Sequence, residues 1–195
     1  MISIIADVVV GLCLFALFTS IIINFTEAKN KKAKKEKKSI VETGTMFLFF
    51  FVFYALIRFR IGEVMLDQLT RTILWGVGLL AVVFGCLVNI KGRFDLGSNW
   101  ANQVKIYKDQ TLCRKGMFRH VRHPLYASLM LMFYGTSLAY PNYLAFLSNT
   151  LIFIPFMHYR ARQEEALLTK TFKEYHTYQK EVGMFFPKIR WQQKH

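Results

Sequence analysis

Cysteine is scarce. Cys13, Cys86 and Cys113 are the only three in 195 residues, and they form no Cys-x-x-Cys pair. That excludes a disulfide framework and the usual zinc spacings. Acidic residues are also few, 12 Asp and Glu against 26 Lys and Arg. No GxGxxG follows a strand pattern, and P-loop, His-Glu-x-x-His and Ser-His-Asp signatures are missing. Soluble cofactor folds and metallohydrolases lose their support, and no metal is expected. No internal repeat is visible, so duplicated transporter halves are not indicated. The first apolar run has no basic start and no small-residue cleavage site, unlike a cleaved signal peptide.

What the chain has is apolar length. It is 53% hydrophobic, with a mean hydropathy of +0.25. Runs at 2–25, 40–57 and 70–90 are each long enough to cross a ~30 Å hydrocarbon layer. Two shorter runs, 125–139 and 143–158, meet at Pro141-Asn142. The expected fold is all-α: a polytopic integral membrane protein of about five transmembrane helices plus a cytoplasmic amphipathic C-terminal helix. Residues 1–90 read as a three-helix scaffold and 91–195 as the catalytic half of one structural domain. Gly76, Gly78, Ala81 and Gly85 mark a face for close helix approach. The aromatic block 47–53 covers every side of its helix and reads as packing.

The formal net charge of +14 would suit nucleic acid, but its placement points elsewhere. Seven basic residues lie at 29–38, eight at 91–122 and eight at 160–194, leaving only Arg58, Arg60 and Arg71. Charge concentrated in alternate connections is the positive-inside pattern. It places the N-terminus outside and the C-terminal half in the cytoplasm. The lysine run lacks the interleaved aromatics of a single-strand binding surface, so no nucleic acid is expected, and contact with anionic lipid headgroups is the plainer reading. The connection 91–115, with its Gly97-Ser98-Asn99-Trp100 turn, is long enough to cover something.

The most chemical stretch is 116–126, Gly-Met-Phe-Arg-His-Val-Arg-His-Pro-Leu-Tyr. Such side chains near lipid are costly unless they line a wet cavity or a ligand. Pro124 bars helix at His123 and suits the first turn of the next helix. The expected result is irregular backbone over 118–123 offering free N–H groups at a helix start, a place that favours anions. For Arg119 and His120, headgroup contact is an equal reading. His123 and Tyr126 fall on one helix face. Further on, Arg160, Glu164, Leu168, Phe172, Tyr175, Tyr178 and Val182 span about 120° of one helix starting near Tyr159. Arg160 and Glu164 are therefore read as an inward, site-forming pair rather than a solvated i,i+4 pair. Asn142 is read as a turn residue.

These elements together resemble the isoprenylcysteine carboxyl methyltransferases. The matching residues are Gly97-Ser98-Asn99-Trp100, Gly116-x-Phe118-x-x-x-Arg122-His123-Pro124-x-Tyr126, Gly135-Thr136 with Asn142, Arg160-x-x-x-Glu164-Glu165-x-x-Leu168, Phe172-x-x-Tyr175-x-x-Tyr178-x-x-x-Val182, and Pro187. They cover the C-terminal half. The departures are Ser128, where relatives often carry glycine, and a short N-terminal half. The resemblance implies an S-adenosylmethionine-dependent carboxyl O-methyltransferase, with S-adenosylhomocysteine as product. It implies cofactor contacts from Gln110, Thr111, Leu112, Cys113, Phe118, His123, Pro124, Leu125, Tyr126 and Glu164. Arg160 would face the acceptor carboxylate, so Arg160 and Glu164 carry the chemistry. The acceptor would be a lipid-modified small molecule or protein C-terminus entering from the membrane lipid.

A carboxylate is ionised at neutral pH, so methyl transfer to it needs alignment rather than a base. Two other enzyme readings stand beside this one. A phospholipid amine N-methyltransferase would need a base, with His120 or Glu165 as candidates. An NADPH-dependent lipid or sterol reductase would need room for a dinucleotide. A non-enzymatic lipid-binding scaffold is the third alternative.

Overall fold

The computed structural model describes residues 2–28, 33–37, 40–97, 104–107 and 111–188. Helix α1 (Ile2–Ala28) and helix α2 (Ile40–Arg58) flank strand β1 (Ala33–Lys37). Helix α3 (Gln68–Leu96) follows, then strand β2 (Val104–Tyr107) and a 3₁₀ turn (Gly116–Arg119). Helices α4 (Pro124–Ala139), α5 (Tyr143–Ser148), α6 (Ile154–Thr171) and α7 (Tyr175–Glu181) complete the chain.

Two helices are long and apolar enough to cross a membrane by themselves, α1 over 4–23 and α3 over 68–96, while the apolar part of α2 (Gly44–Arg58) is shorter. Helix α4, at 16 residues, is about 24 Å long, short of the ~30 Å hydrocarbon layer. Large apolar side chains point outward along the bundle: Phe15 and Leu80 are each 72% exposed, Phe47 and Phe51 each 69%. Water does not tolerate so much apolar surface; lipid does.

Two expectations change. The run 143–158 and the helix expected from Tyr159 are one rod, because α5 and α6 are joined by a π-helical turn at Asn149–Phe153. Pro155 follows that turn directly and has no N–H to give, and the wider turn accommodates the lost bond. The long stripe from Arg160 to Val182 is broken, since Phe172 is extended (φ −114°, ψ 113°) and α7 starts afresh at Tyr175. The helical fold is as expected but carries one short ribbon: β1 and β2 pair antiparallel, Ala33 opposite Tyr107 and Lys37 opposite Val104. This ribbon joins two of the basic connections, and β2 lies beside α6.

Small residues seat α3 on α4. A Cβ on Gly78 would stand 2.5 Å from the backbone of Gly135 and Ala139, and one on Gly85 would stand 2.9 Å from the Ser128 carbonyl. Fully buried Asn89 locks the crossing, donating to Leu125 O (3.1 Å) and Ser128 Oγ (2.8 Å). Ser128 is thus a hydrogen-bond partner of Asn89. Cys13 and Cys86, distant in sequence, become neighbours between α1 and α3; both remain free and buried. The aromatic block of α2 packs through Phe49 and Phe53 on Met130, Ala145, Phe153 and Met157.

At the end of the bundle away from the ribbon, Asn142 caps α5 by accepting from Ala145 N (2.9 Å). It also donates to Leu56 O (3.2 Å) and Ile61 O (2.9 Å), beyond the simple turn role expected of it.

Candidate active site

The 3₁₀ turn begins at Gly116, whose φ of +57° lies in the left-handed region. A Cβ there would fall 2.1 Å from the Asp95 carboxylate, which accepts from Met117 N at 2.8 Å. The chain is therefore held to the end of α3 before it reaches the motif. Its N–H groups are not free, contrary to expectation. Arg122 N donates to Gly183 O (2.8 Å) and His123 N to Met184 O (3.0 Å), while Phe118, His120 and Val121 donate within the turn. The C-terminal segment has taken these donors by forming a parallel bridge between Val121 and Gly183.

His123 is the N-cap residue of α4 but makes no capping bond, because its ring is engaged elsewhere. It sits between two carboxylates of α6. Nε2 lies 3.2 Å from Glu165 Oε1, and Nδ1 lies 3.6 Å from Glu164 Oε2. Adjacent helix positions diverge by ~100°, so two successive glutamates can straddle one imidazole. Tyr126 stacks parallel to His123 (centroids 5.5 Å, 3°) and donates to Glu164 Oε2 at 3.1 Å. Behind them, Glu165 accepts from Arg122 Nε (2.7 Å) and Gln179 Nε2 (3.1 Å), and Arg122 also donates to Val182 O. Tyr178 reaches back to Phe118 O, binding α7 to the same segment.

The electrostatics follow from this packing. Burial alone would push both carboxyls up and the imidazole down. The His123 hydrogen bond and charge instead hold Glu164 below the ordinary carboxyl value, with Tyr126 and Arg160 adding to the effect. Burial of Glu165 is likewise outweighed by His123 and Arg122, which hold it at about 2. For His123 the two glutamates overcome desolvation and raise it. The two carboxylates thus favour the imidazolium form of His123 between them.

Arg160 lies on the same turns of α6 and is 6% exposed. It does not ion-pair with Glu164 as expected; among the described residues no carboxylate pairs with it. Its Nη1 donates to the thioether of Met46 on α2 at 3.2 Å, and its buried Nε has no partner. The side chain of Glu164 is 39% exposed, whereas that of Glu165 is 3% exposed.

The remaining predicted residues divide. Thr111, Leu112 and Cys113 line a cleft of about 600 Å³ with Asp95, Gly97 and Arg114. Leu112, with Leu168 of α6 and Phe172, also packs on Tyr175, Tyr178 and Val182. Phe118 and Pro124 are buried beside the cluster, and the Leu125 carbonyl serves Asn89. Gln110 and the Ser98–Trp100 part of the turn lie outside the described residues. Arg119 and His120 are exposed and line a second cleft, of about 410 Å³, with Arg114, Tyr178 and Lys188. The helix entrance and the charged turn of α6 therefore touch directly rather than facing across a cavity. Sequence reasoning undervalued Glu165 and missed Gln179 and Met46. The Glu-Glu pair was the available signal for Glu165; nothing in the sequence ties Met46 to α6.

Fold and site together define a helical membrane protein with a buried guanidinium and an imidazolium–carboxylate cluster at one end of its bundle. Residues 77–170 match the model of the isoprenylcysteine carboxyl methyltransferase (ICMT) family. It is 29% identical over 138 residues to a probable protein-S-isoprenylcysteine O-methyltransferase of Oryza sativa subsp. indica, covering 64% of this chain and 72% of that protein. The Saccharomyces cerevisiae protein-S-isoprenylcysteine O-methyltransferase is 31% identical over 120 residues, covering 56% of this chain and 50% of the yeast protein. The structure of the eukaryotic intramembrane Ras methyltransferase ICMT superposes with a TM-score of 0.57 at 24% identity, over 78% of this chain and 54% of that one, which establishes a shared fold. The chain thus spans about half the length of the yeast protein and of that solved structure.

Proposed function

We propose that this protein is a membrane methyltransferase that esterifies the carboxylate of an isoprenylcysteine-like lipid, using S-adenosylmethionine. The observation that carries the reading is Arg160: a buried guanidinium near Tyr126 and Glu164, bonded to a thioether and with an orphan Nε–H, keeps capacity for an anion. A lipid carboxylate supplies that anion, and the aromatic face of α2 beside it suits the lipid tail. Among relatives, the rice and yeast proteins are named for this reaction.

The cofactor, when bound, supplies an electrophilic methyl group on a sulfonium centre. The residues present suit such a group. Glu164 is kept ionised and half-exposed beside the Tyr126 ring, so a cation can approach a carboxylate and an aromatic face together. The cleft at 111–113 has the size of a small-molecule site and carries the Asp95 carboxylate. His123 is pinned at both nitrogens, which fixes Glu164 rather than offering a mobile base. Arg160 orients the acceptor carboxylate without a proton transfer, because that nucleophile is already ionised.

The amine-methylating alternative loses support at its candidate bases. Glu165 is held at about 2 with three donors upon it, and His120 lies on the exposed second cleft. The basic connections support a cytoplasmic site end with the N-terminus outside.

Calorimetry with S-adenosylhomocysteine tests the cofactor half. Detergent-solubilised protein binds it, and Glu164→Ala and His123→Ala each weaken binding by about tenfold or more, the loss of one charged hydrogen bond. Unchanged affinity in both variants rejects the assignment.

A further inference from the structure

Met46 occupies an unexpected position. It lies one turn into α2, on the scaffold half of the chain, and its Sδ accepts from Arg160 Nη1 at 3.2 Å. A thioether is a weak acceptor, poorly matched to a buried guanidinium. The mismatch is compounded by Arg160 Nε, buried and without any partner. A buried arginine normally finds a carboxylate with two parallel bonds; here Nη1 bonds to sulfur, the Tyr126 hydroxyl and the Glu164 charge lie nearby, and no carboxylate among the described residues is within ion-pair distance. Met46 also packs at the edge of the apolar cluster of Phe49, Phe53, Met130 and Phe153, so it stands where the polar site meets the aromatic face of α2. An amphiphile with its head on Arg160 and its tail along that face must pass this side chain. Methionine, unbranched and flexible, can leave such a position by rotamer change alone.

We propose that Met46 is a specificity-determining residue, its thioether a displaceable stand-in for the acceptor carboxylate on Arg160. The inference rests on the carboxyl-methylating reading above. It makes the lipid's affinity a competition between a carboxylate and a weak internal acceptor. An acidic side chain or a strong neutral acceptor at 46 would close the site, and methionine keeps it closed only lightly.

The test is the KM for an N-acetylated S-farnesylcysteine in two variants of nearly equal volume. Met46→Leu removes the acceptor and keeps the bulk, so the KM for the lipid falls about threefold, the loss of one weak hydrogen bond from the free state. Met46→Gln installs a strong neutral acceptor, so that KM rises about tenfold. In both, affinity for S-adenosylhomocysteine stays within twofold, which also verifies folding. A merely structural role would shift the two variants in the same direction. The inference is overturned if both KM values move together or neither moves. If wild-type protein binds S-adenosylhomocysteine but does not esterify the lipid, or binds no product at all, the methyltransferase reading fails first and takes this one with it. An active wild type with insensitive variants defeats the Met46 inference alone.

Discussion

Gly116 and Glu165 show how single residues hold the site. A methyl on Gly116 meets the Asp95 carboxylate and requires a left-handed backbone, so Gly116→Ala is expected to cost about 1–3 kcal/mol, read as a lowered midpoint in denaturant. An unchanged midpoint would mean that the turn is not anchored to α3. Glu165 is the sole ion-pair partner of Arg122 among the described residues and shares His123 with Glu164. Glu165→Gln leaves Arg122 buried and uncompensated, an expected loss of about 3 kcal/mol. The pH dependence has a definite sign. The raised His123 contributes stability that is complete below its unfolded value of about 6.5 and is lost as pH rises through its higher folded value. Glu165 contributes above its ordinary carboxyl range, and that contribution is lost as pH falls towards about 2. Thermal stability should therefore decline as pH rises beyond the unfolded imidazole value of about 6.5, and His123→Gln should abolish that decline. A wild-type profile flat through the alkaline limb would contradict the imidazolium assignment.

The π turn at Asn149–Phe153 decides which face of α6 reaches the site. Removing one residue from it, for example Thr150, rotates everything beyond by ~100° and carries Arg160 and Glu164 away from Tyr126. Binding of S-adenosylhomocysteine is expected to vanish while helical content by circular dichroism persists; retained binding would show that the turn does not set the phase. This turn also marks where the sequence stopped being legible. Apolar periodicity gave α1, α2 and α3 because lipid-length runs leave few alternatives. The motif around His123 and the Arg160–Glu165 turn were readable because charged residues beside apolar runs are expensive and need a reason. The expected break between 158 and 159 fell where apolar residues give way to charged ones, yet the helix runs straight through it. The break at Phe172 carries no Gly or Pro and could not be seen. The β1–β2 ribbon depends on pairing residues about seventy positions apart, and its Ala-Lys-Lys-Glu-Lys strand has no β-forming composition.

Across the whole molecule, the contacts sort into two ends. Asn142 meets the 56–64 connection at one, while the ribbon, the 3₁₀ turn and α7 gather at the other with most of the basic residues. We propose, on the positive-inside rule, that the second end is cytoplasmic. A cysteine at Met65, which is 99% exposed, should react with an impermeant maleimide added to intact cells, and one at exposed His176 should react only after lysis. The opposite labelling would invert the topology. In the proposed reaction each reactant has its own approach: lipid from the bilayer along α2, a soluble donor from the end that carries the 111–113 cleft.

The most direct measurement is the lipid KM of Arg160→Ala against wild type, with S-adenosylhomocysteine affinity recorded on the same samples. Loss of the guanidinium that orients the acceptor carboxylate predicts a rise of about 100-fold in lipid KM, a loss near 3 kcal/mol, with product affinity nearly unchanged. An unchanged lipid KM, or a loss confined to the product's affinity, would contradict it.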